Sequence, residues 1–544
     1  MSDKTAKTGE QSTLNEPGIW AHQMSRRDFL VTAGLAAGAL GAGGLLAACG
    51  GGGSSASPSA SASTAALTKG GSLRAGLVGM ATTDSRDPAS ATTAGGYALA
   101  LQMFDTLMVY GANGRVKPSL AEEVTAVNAG EWIVRLRDAE WHDGKPVTAD
   151  DVIFTFKRIL NPKKPLPNAT AVGFMDINNM KKEDDKTVRF TLKYPTVSFA
   201  DALASPLQSI VPVGFDARHP IGSGAFVLDQ FTLGQRYTFK RFDSYWVSEQ
   251  PYVDDLSLIG FPDSSSEVNA LIGGQIDVAP GLDATLVRVV QAAEADYTVF
   301  EYPASGTLCW VMNCAKAPFN DSKVRQALRL AVDRPGIVEH VYAGHAALGN
   351  DLFNTFDPCY AKSIAQRKQD SEQALALLKQ AGHDRVSVEL TGAPVSATAN
   401  SQNEALVSQA KTCGFDITFR KVDVATFYGD AYGTYPLSLS FWGNLSILDQ
   451  ASLTVVKGSP YNSSHWSNSE FDKLFKEALA EPDQAKRSET MLAMQQIQWD
   501  SGSYLVAQFQ NGLTGYSTKL GGYQPAPMGE PASNYGFREL GFKS

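Results

Sequence analysis

Apolar and polar positions recur along this chain with two periods. Alternation at period two, or a short run of β-formers, predicts strands at residues 71–77, 132–137, 187–192, 308–313, 415–419 and 438–443. Helical spacing predicts intervening helices. Residues 97–108 carry Leu101, Phe104 and Leu107 or Met108 on one face. Residues 323–332 carry Val324, Ala327, Leu328 and Ala331. Further helices are predicted at 267–276, 371–381, 403–413, from Asn468 onward, and at 485–499. Gly382 and Gly414 stand where helix C-caps belong. Strands and helices interleaved over this length predict an α/β chain.

Residues 114–160 hold the densest local information. Trp132 to Arg137 predicts a strand, and His142-Asp143-Gly144-Lys145-Pro146 is turn chemistry, with Gly able to take positive φ and Pro setting the exit. Thr148 suits an N-cap, Asp150 and Asp151 suit the first turn, and Val152, Phe156 and Ile159 form a buried stripe.

The literal residues carry a family resemblance. Pro118-Ser119-Leu120-Ala121-Glu122, Leu136-Arg137, Trp141-His142-Asp143-Gly144-Lys145-Pro146 and Thr148-Ala149-Asp150-Asp151-Val152 together resemble the signature of the family 5 extracytoplasmic solute-binding proteins, receptors of ABC importers. The family usually has Phe in place of Trp141. Gly222-Ser223-Gly224-Ala225-Phe226 followed by Tyr245-Trp246 resembles its second landmark, with the glycines read as a tight turn. Gly273-Gly274-Gln275-Ile276-Asp277, Pro318-Phe319-Asn320-Asp321 and Asp333-Arg334 resemble others, in the family's order. The resemblance covers nearly all of the chain after about residue 70.

It implies a two-lobe, periplasmic-binding-protein-like α/β fold with a hinge. The larger lobe would be discontinuous, 69–305 plus 515–544, with an inserted subdomain at roughly 110–220, and the second lobe would be 306–514. It also implies capture of a small solute, most often a peptide, by lobe closure, and delivery to an ABC permease with its ATPase subunits. The chain is expected to act as a monomer.

Composition narrows the alternatives. The 544 residues exceed one ordinary core. With 43% hydrophobic and 19% charged residues the chain is globular, and a net charge of −9 argues against nucleic acid as partner. The five cysteines form no CxxC pair. Cys309 and Cys314, read as sharing a strand, would stand roughly 17 Å apart, beyond disulfide reach. Free thiols and one long-range bridge both remain open for Cys309, Cys314, Cys359 and Cys413.

The N-terminus reads as an address. Ser25-Arg26-Arg27-Asp28-Phe29-Leu30 matches a twin-arginine export signal built on Arg26 and Arg27. A Gly/Ala-rich apolar stretch follows, and Leu46-Ala47-Ala48-Cys49 resembles a lipoprotein box with Cys49 as the lipidated residue. Residues 1–48 are the expected signal peptide and 49–68 a flexible tether, placing the mature chain outside the cytoplasmic membrane, held by its lipid.

No catalytic constellation stands out. The seven histidines are scattered, and neither HExxH, a Cys/His cluster nor GxSxG is present, so no cofactor, metal or catalytic residue is expected. A lipid-anchored hydrolase and a signalling or adhesion lipoprotein are the alternative classes. The resemblance places the binding cleft at Trp442, Asn444 and Asp449, with Tyr428 and Asn462 flanking it. Peptide-binding members have an Asp for the ligand's amino terminus near Asn444 and Leu445, so free-amine recognition is not implied here.

Overall fold

The computed structural model describes residues 66–443, 445–528 and 535–544. Arg26, Arg27, Cys49 and Asn444 lie outside the described residues. Among the described residues no helix is long and apolar enough to cross a membrane.

Three sheets organise the chain. A seven-stranded sheet has the spatial order Tyr297–Tyr302, Gly512–Ser517, Val278–Pro280, Ser72–Val78, Asp255–Phe261, Arg236–Arg241 and Phe226–Thr232. Ser72–Val78 runs parallel to both of its neighbours, and the other pairings are antiparallel. A strand from the chain's end, Gly512–Ser517, therefore completes a sheet begun near the start. A five-stranded sheet has the order Phe415–Lys421, Val386–Gly392, Leu437–Trp442, Thr307–Met312 and Tyr504–Val506. Between strands of the first sheet is inserted a four-stranded antiparallel sheet of Ala121–Asn128, Glu131–Leu136, Thr187–Thr191 and Lys181–Asp184. Each sheet has its own buried apolar cluster: around Leu73, Phe226 and Leu258; around Trp310, Leu328 and Leu406; and around Val134, Phe156 and Phe190. The result is a two-lobe α/β fold with an insert on the first lobe.

The helix predicted at 97–108 spans Ala94–Met103 and stops early. Phe104 is extended, and Gly224 donates its N–H to the Met103 carbonyl at 2.8 Å. The chain then delivers Asp105 into a buried junction. Its carboxylate accepts from Ser223 Oγ, Tyr245 Oη and Trp246 Nε1, each at 3.0 Å. His142 Nε2 lies 2.9 Å from the Gly224 carbonyl, and the His142 backbone N–H donates to the Gly222 carbonyl at 2.8 Å. The landmarks, some eighty residues apart at His142 and Gly222, are thus one junction. Neither Gly222 nor Gly224 has positive φ. A Cβ at Gly222 would collide with the Met103 backbone and one at Gly224 with the backbone of Gln102 and Met103, so close approach, not a tight turn, demands glycine there.

The helix Ala149–Ile159 begins as its sequence predicts. Asp151 accepts from the Thr148 N–H and Oγ1, both at 2.9 Å, completing a capping box. Asp151 also accepts from Trp141 Nε1 at 3.3 Å and the Val213 N–H at 2.8 Å, so the cap ties the helix to two loops. The helix predicted at 267–276 instead spans Ser264–Ile272, because Asp263 caps it through the Ser266 N–H at 2.7 Å. Cys309, Cys314, Cys359 and Cys413 are free thiols. Cys314 lies beyond the end of the strand Thr307–Met312 rather than within it.

Candidate functional site

The lobes are joined by two adjacent crossings. One runs from the strand Tyr297–Tyr302 to the strand Thr307–Met312, the other from Tyr504–Val506 to Gly512–Ser517. They hold each other: Thr307 Oγ1 donates to the Gln508 carbonyl at 2.6 Å, and the Gln510 N–H to the Gly306 carbonyl at 2.7 Å. Glu301 adds a bridge, taking Asn511 Nδ2 at 2.6 Å on one oxygen and lying 3.0 Å from His345 Nδ1 on the other. His345 follows the helix Arg334–Val341 of the second lobe, so this contact spans the hinge.

Trp442 ends the strand Leu437–Trp442 and pairs with Thr307, directly beside the first crossing. At Gly443 an added Cβ would come within 2.9 Å of Gly306 Cα, so the loop beyond Trp442 can hug the hinge only without a side chain there. A void of about 10 Å³ remains, lined by Ser305, Phe353, Asn354, Gly443, Leu445 and Gln450.

Of the residues predicted for the cleft, Trp442 is half-buried and packs on the second lobe's apolar cluster near Phe353, Trp466 and Tyr504. Its ring lies 6.3 Å from that of Tyr461, and its Nε1 is buried without a partner. Asp449 sits in the first turn of the helix Ile447–Thr454; it accepts from Ser446 Oγ at 2.7 Å, and that oxygen accepts the Asp449 N–H. Tyr428 is buried in an aromatic cluster, edge-on to Phe427 at 4.9 Å. Asn462 uses both ends of its amide within its own loop, on the Trp466 carbonyl and Ser464 Oγ, at 2.9 and 2.8 Å. Trp442 and Asp449 thus share one edge of the second lobe, while Tyr428 and Asn462 are engaged in local packing.

Further polar groups meet that edge. Asp357 accepts from the Ile447 N–H at 2.9 Å and the Cys359 N–H at 2.8 Å. From the insert come Asp201, on the short helix Phe199–Ala202, with Tyr110 and Tyr194. Burial, together with the like charges of Asp449 and Asp357, pushes the Asp201 carboxyl up to about 8. Burial raises Asp449 and Asp357 too, with hydrogen bonds opposing it at both. Burial and these three carboxyls hold the Tyr110 phenol well above its ordinary range, and burial and Asp449 push Tyr194 up to about 12. Arg487 opposes the shifts at Asp201 and Asp357. Carboxyls and phenols of the insert thus lie within electrostatic reach of two carboxyls of the second lobe. Carboxyls accept hydrogen bonds and offset positive charge, and the indole of Trp442 can stack a planar or apolar group. Asp201, Asp357, Tyr110 and Tyr194 come from separate segments with no shared motif, so nothing in their sequence neighbourhoods marks them.

Among the described residues no group of three or more His, Cys, Asp or Glu is placed to hold a metal. A larger groove, about 550 Å³, lies away from the hinge on the insert, between the 141–151 turn and the 212–221 loop.

Comparison with known proteins agrees with this geometry. The pattern of the bacterial extracellular solute-binding proteins, family 5 (middle region), matches residues 115–464. The chain is 27% identical over 458 residues to the dipeptide-binding protein of Escherichia coli K12, covering 76% of this chain and 85% of that protein. It is likewise 27% identical over 442 residues to the probable deoxycholate-binding periplasmic protein of the same organism, covering 72% and 79%. The fold matches the ABC transporter substrate-binding protein CtaP of Listeria monocytogenes with TM-score 0.78 at 23% identity, covering 88% of this chain and all of that one. The Bacillus subtilis oligopeptide-binding protein AppA, solved with a nonapeptide, matches with TM-score 0.71 at 23% identity, covering 88% and 100%.

Proposed function

The chain belongs to the bacterial extracellular solute-binding proteins, family 5, and from that premise we propose that it captures a peptide-like or other small solute between its lobes and delivers it to an ABC permease and its ATPase subunits. The observation that carries this reading is the pair of crossings at residues 303–306 and 507–511, with carboxyls of the insert and of the second lobe close enough to shift one another. A ligand touching both lobes stabilises the closed arrangement and shifts the population toward it. The relatives named for dipeptide and deoxycholate binding support peptide as the first candidate and an amphipathic solute as the second. No bond is broken in this reading, and the family's members serve transport.

The lobes divide at 69–305 plus 515–544 and 306–514 in this reading, with the insert at roughly 110–220. Trp442 supplies an aromatic face, and Asn444 and Asp449 the directional hydrogen bonds, with Tyr428 and Asn462 supporting the wall behind them. Arg26 and Arg27 direct export, and diacylated Cys49 holds the monomer at the outer face of the cell membrane. Changing Cys49→Ala releases the protein from the membrane fraction or leaves its precursor uncut; membrane retention after cleavage would rule the anchor out.

Mass spectrometry of solute released from the purified mature chain tests the function. One solute per chain, recovered unchanged after hours with the protein, supports capture. Steady conversion of that solute to product would place the chain among enzymes instead.

A further inference from the structure

The insert and the second lobe touch directly, away from the hinge. The Val197 N–H donates to the Leu479 carbonyl at 3.0 Å, at the end of the helix Ser469–Ala480. Val197 packs on the second lobe's apolar cluster, which includes Phe475 and Ala478 of that helix. One residue on, Ser198 is buried and hydrogen-bonds Asp449 across the same boundary. Asp201 then follows on the same short segment and faces Asp357 and Asp449. Among the described residues no shared sheet strand joins these surfaces, so noncovalent contacts alone hold them together.

We propose that the insert segment 196–202 is a proton-sensitive latch, which closes on the second lobe when Asp201 is protonated and is released when Asp201 ionises. In the closed arrangement Asp201 faces two carboxyls from the opposite lobe, Asp357 and Asp449, with Arg487 the opposing cation and Tyr110 and Tyr194 the neighbouring phenols. Closing removes water from these groups, and three ionised carboxylates repel one another there. A single proton held by Asp201 removes the repulsion and leaves the Val197–Leu479 bond and the apolar contact to hold the edge. Opening re-solvates Asp201, separates it from Asp357 and Asp449, and returns it toward an ordinary carboxyl. The open form therefore gains as pH rises toward about 8, the value to which the closed arrangement lifts Asp201. The latch rests on the lobe motion of the reading above but not on any solute, so its failure leaves solute capture standing.

The test uses the full mature chain, stripped of solute by unfolding and refolding. X-ray scattering gives its radius of gyration at about pH 6.5 and about pH 9, at fixed salt, and hydrogen exchange of the peptide containing Val197 is corrected for the intrinsic pH dependence. The expected result is a larger radius and weaker Val197 protection at the higher pH. Asp201→Asn should stay compact and protected at both, whereas Asp216→Asn, which alters a half-exposed carboxyl elsewhere on the insert, should keep the wild-type response. An unchanged radius and Val197 protection in the wild type, or an Asp201→Asn variant that still opens with pH, would overturn the latch.

Discussion

Asp351 and Asp201 are both carboxyl groups withdrawn from water, and they are treated in opposite ways. Asp351 is 2% exposed, in the second lobe's core, with φ +60. Arg334 Nη2 grips both its oxygens at 2.7 and 2.8 Å, Arg367 Nε donates at 2.8 Å, and the Val506 N–H adds a bond at 3.1 Å. Burial alone would raise its pKa, but Arg334, Arg329 and Arg367 outweigh that and hold it below the usual range. The surplus positive charge is met by carbonyls at the end of the helix Gln484–Ser501, whose dipole is negative there: Trp499 accepts from Arg329 at 3.1 Å and Arg367 at 2.6 Å. Asp201 faces two further carboxyls instead. The first arrangement answers its carboxylate with guanidinium groups and serves as structure. The second leaves charge unanswered at a boundary between lobes, where a proton, a solute or movement can change the balance.

Breaking the answered side should have the largest effect. Asp351→Asn strands three guanidinium groups and should cost about 3–5 kcal/mol of stability, read as a lower urea midpoint at unchanged slope. A loss below about 1 kcal/mol would mean the arginines are satisfied without it.

Trp442→Ala tests the boundary itself. Binding of the co-purified solute, followed by calorimetry, should weaken by about 1–3 kcal/mol. Because Trp442 is half-buried, the ligand-free protein should lose only about 1–2 kcal/mol. Unchanged affinity would make the indole packing alone.

Glu267 extends the comparison to a third case, a carboxyl with no charge of either sign beside it. It is fully buried between the helix Ser264–Ile272 and Gly76, with neither oxygen hydrogen-bonded, and burial raises its pKa well above the usual range. Glu267→Leu should stabilise by about 1–2 kcal/mol. The folded group keeps its proton while the unfolded one loses it, so wild-type stability falls as pH climbs past the ordinary carboxyl range and the advantage grows. A lower melting temperature in the variant at neutral pH would show that the carboxyl holds a bond, for instance through water.

Lobe opening re-solvates Asp201 and so caps the effect of Asp201→Asn on stability far below the full linkage of its raised pKa; it should be the smallest, a gain of about 1 kcal/mol near pH 8 that vanishes near pH 4. The sign follows from the raised pKa: the folded protein holds a proton between the unfolded value, 3.8, and about 8, so stability is lost with rising pH across that window. Denaturation curves for variant and wild type that stay parallel across it would remove Asp201 from the comparison.

Much of the scaffold was legible because its signals are local. The Thr148 cap, the first-turn carboxylates and the stripe Val152, Phe156 and Ile159 need no distant partner. Helix ends marked by Gly382 and Gly414 follow from positive φ, +84 and +88. Where a distant partner decides, the local pattern misleads. The helix at Ala94 ends at Met103 because Gly224, more than a hundred residues away, takes its last carbonyl. Gly222 and Gly224 read locally as a turn, and only that contact shows why they lack side chains.

By itself, then, the sequence determined the α/β class, the order and most bounds of the elements, and the family, because periodicity, caps and literal motifs are written within a few residues of one another. The tertiary structure alone decided what each carboxyl does. Whether Asp351 meets arginines, Glu267 meets nothing, or Asp201 meets Asp357 and Asp449 depends on segments far apart in the chain. A carboxyl's charge is set by the dielectric and the charges within a few ångströms of it, and that neighbourhood does not exist until the lobes have folded and met.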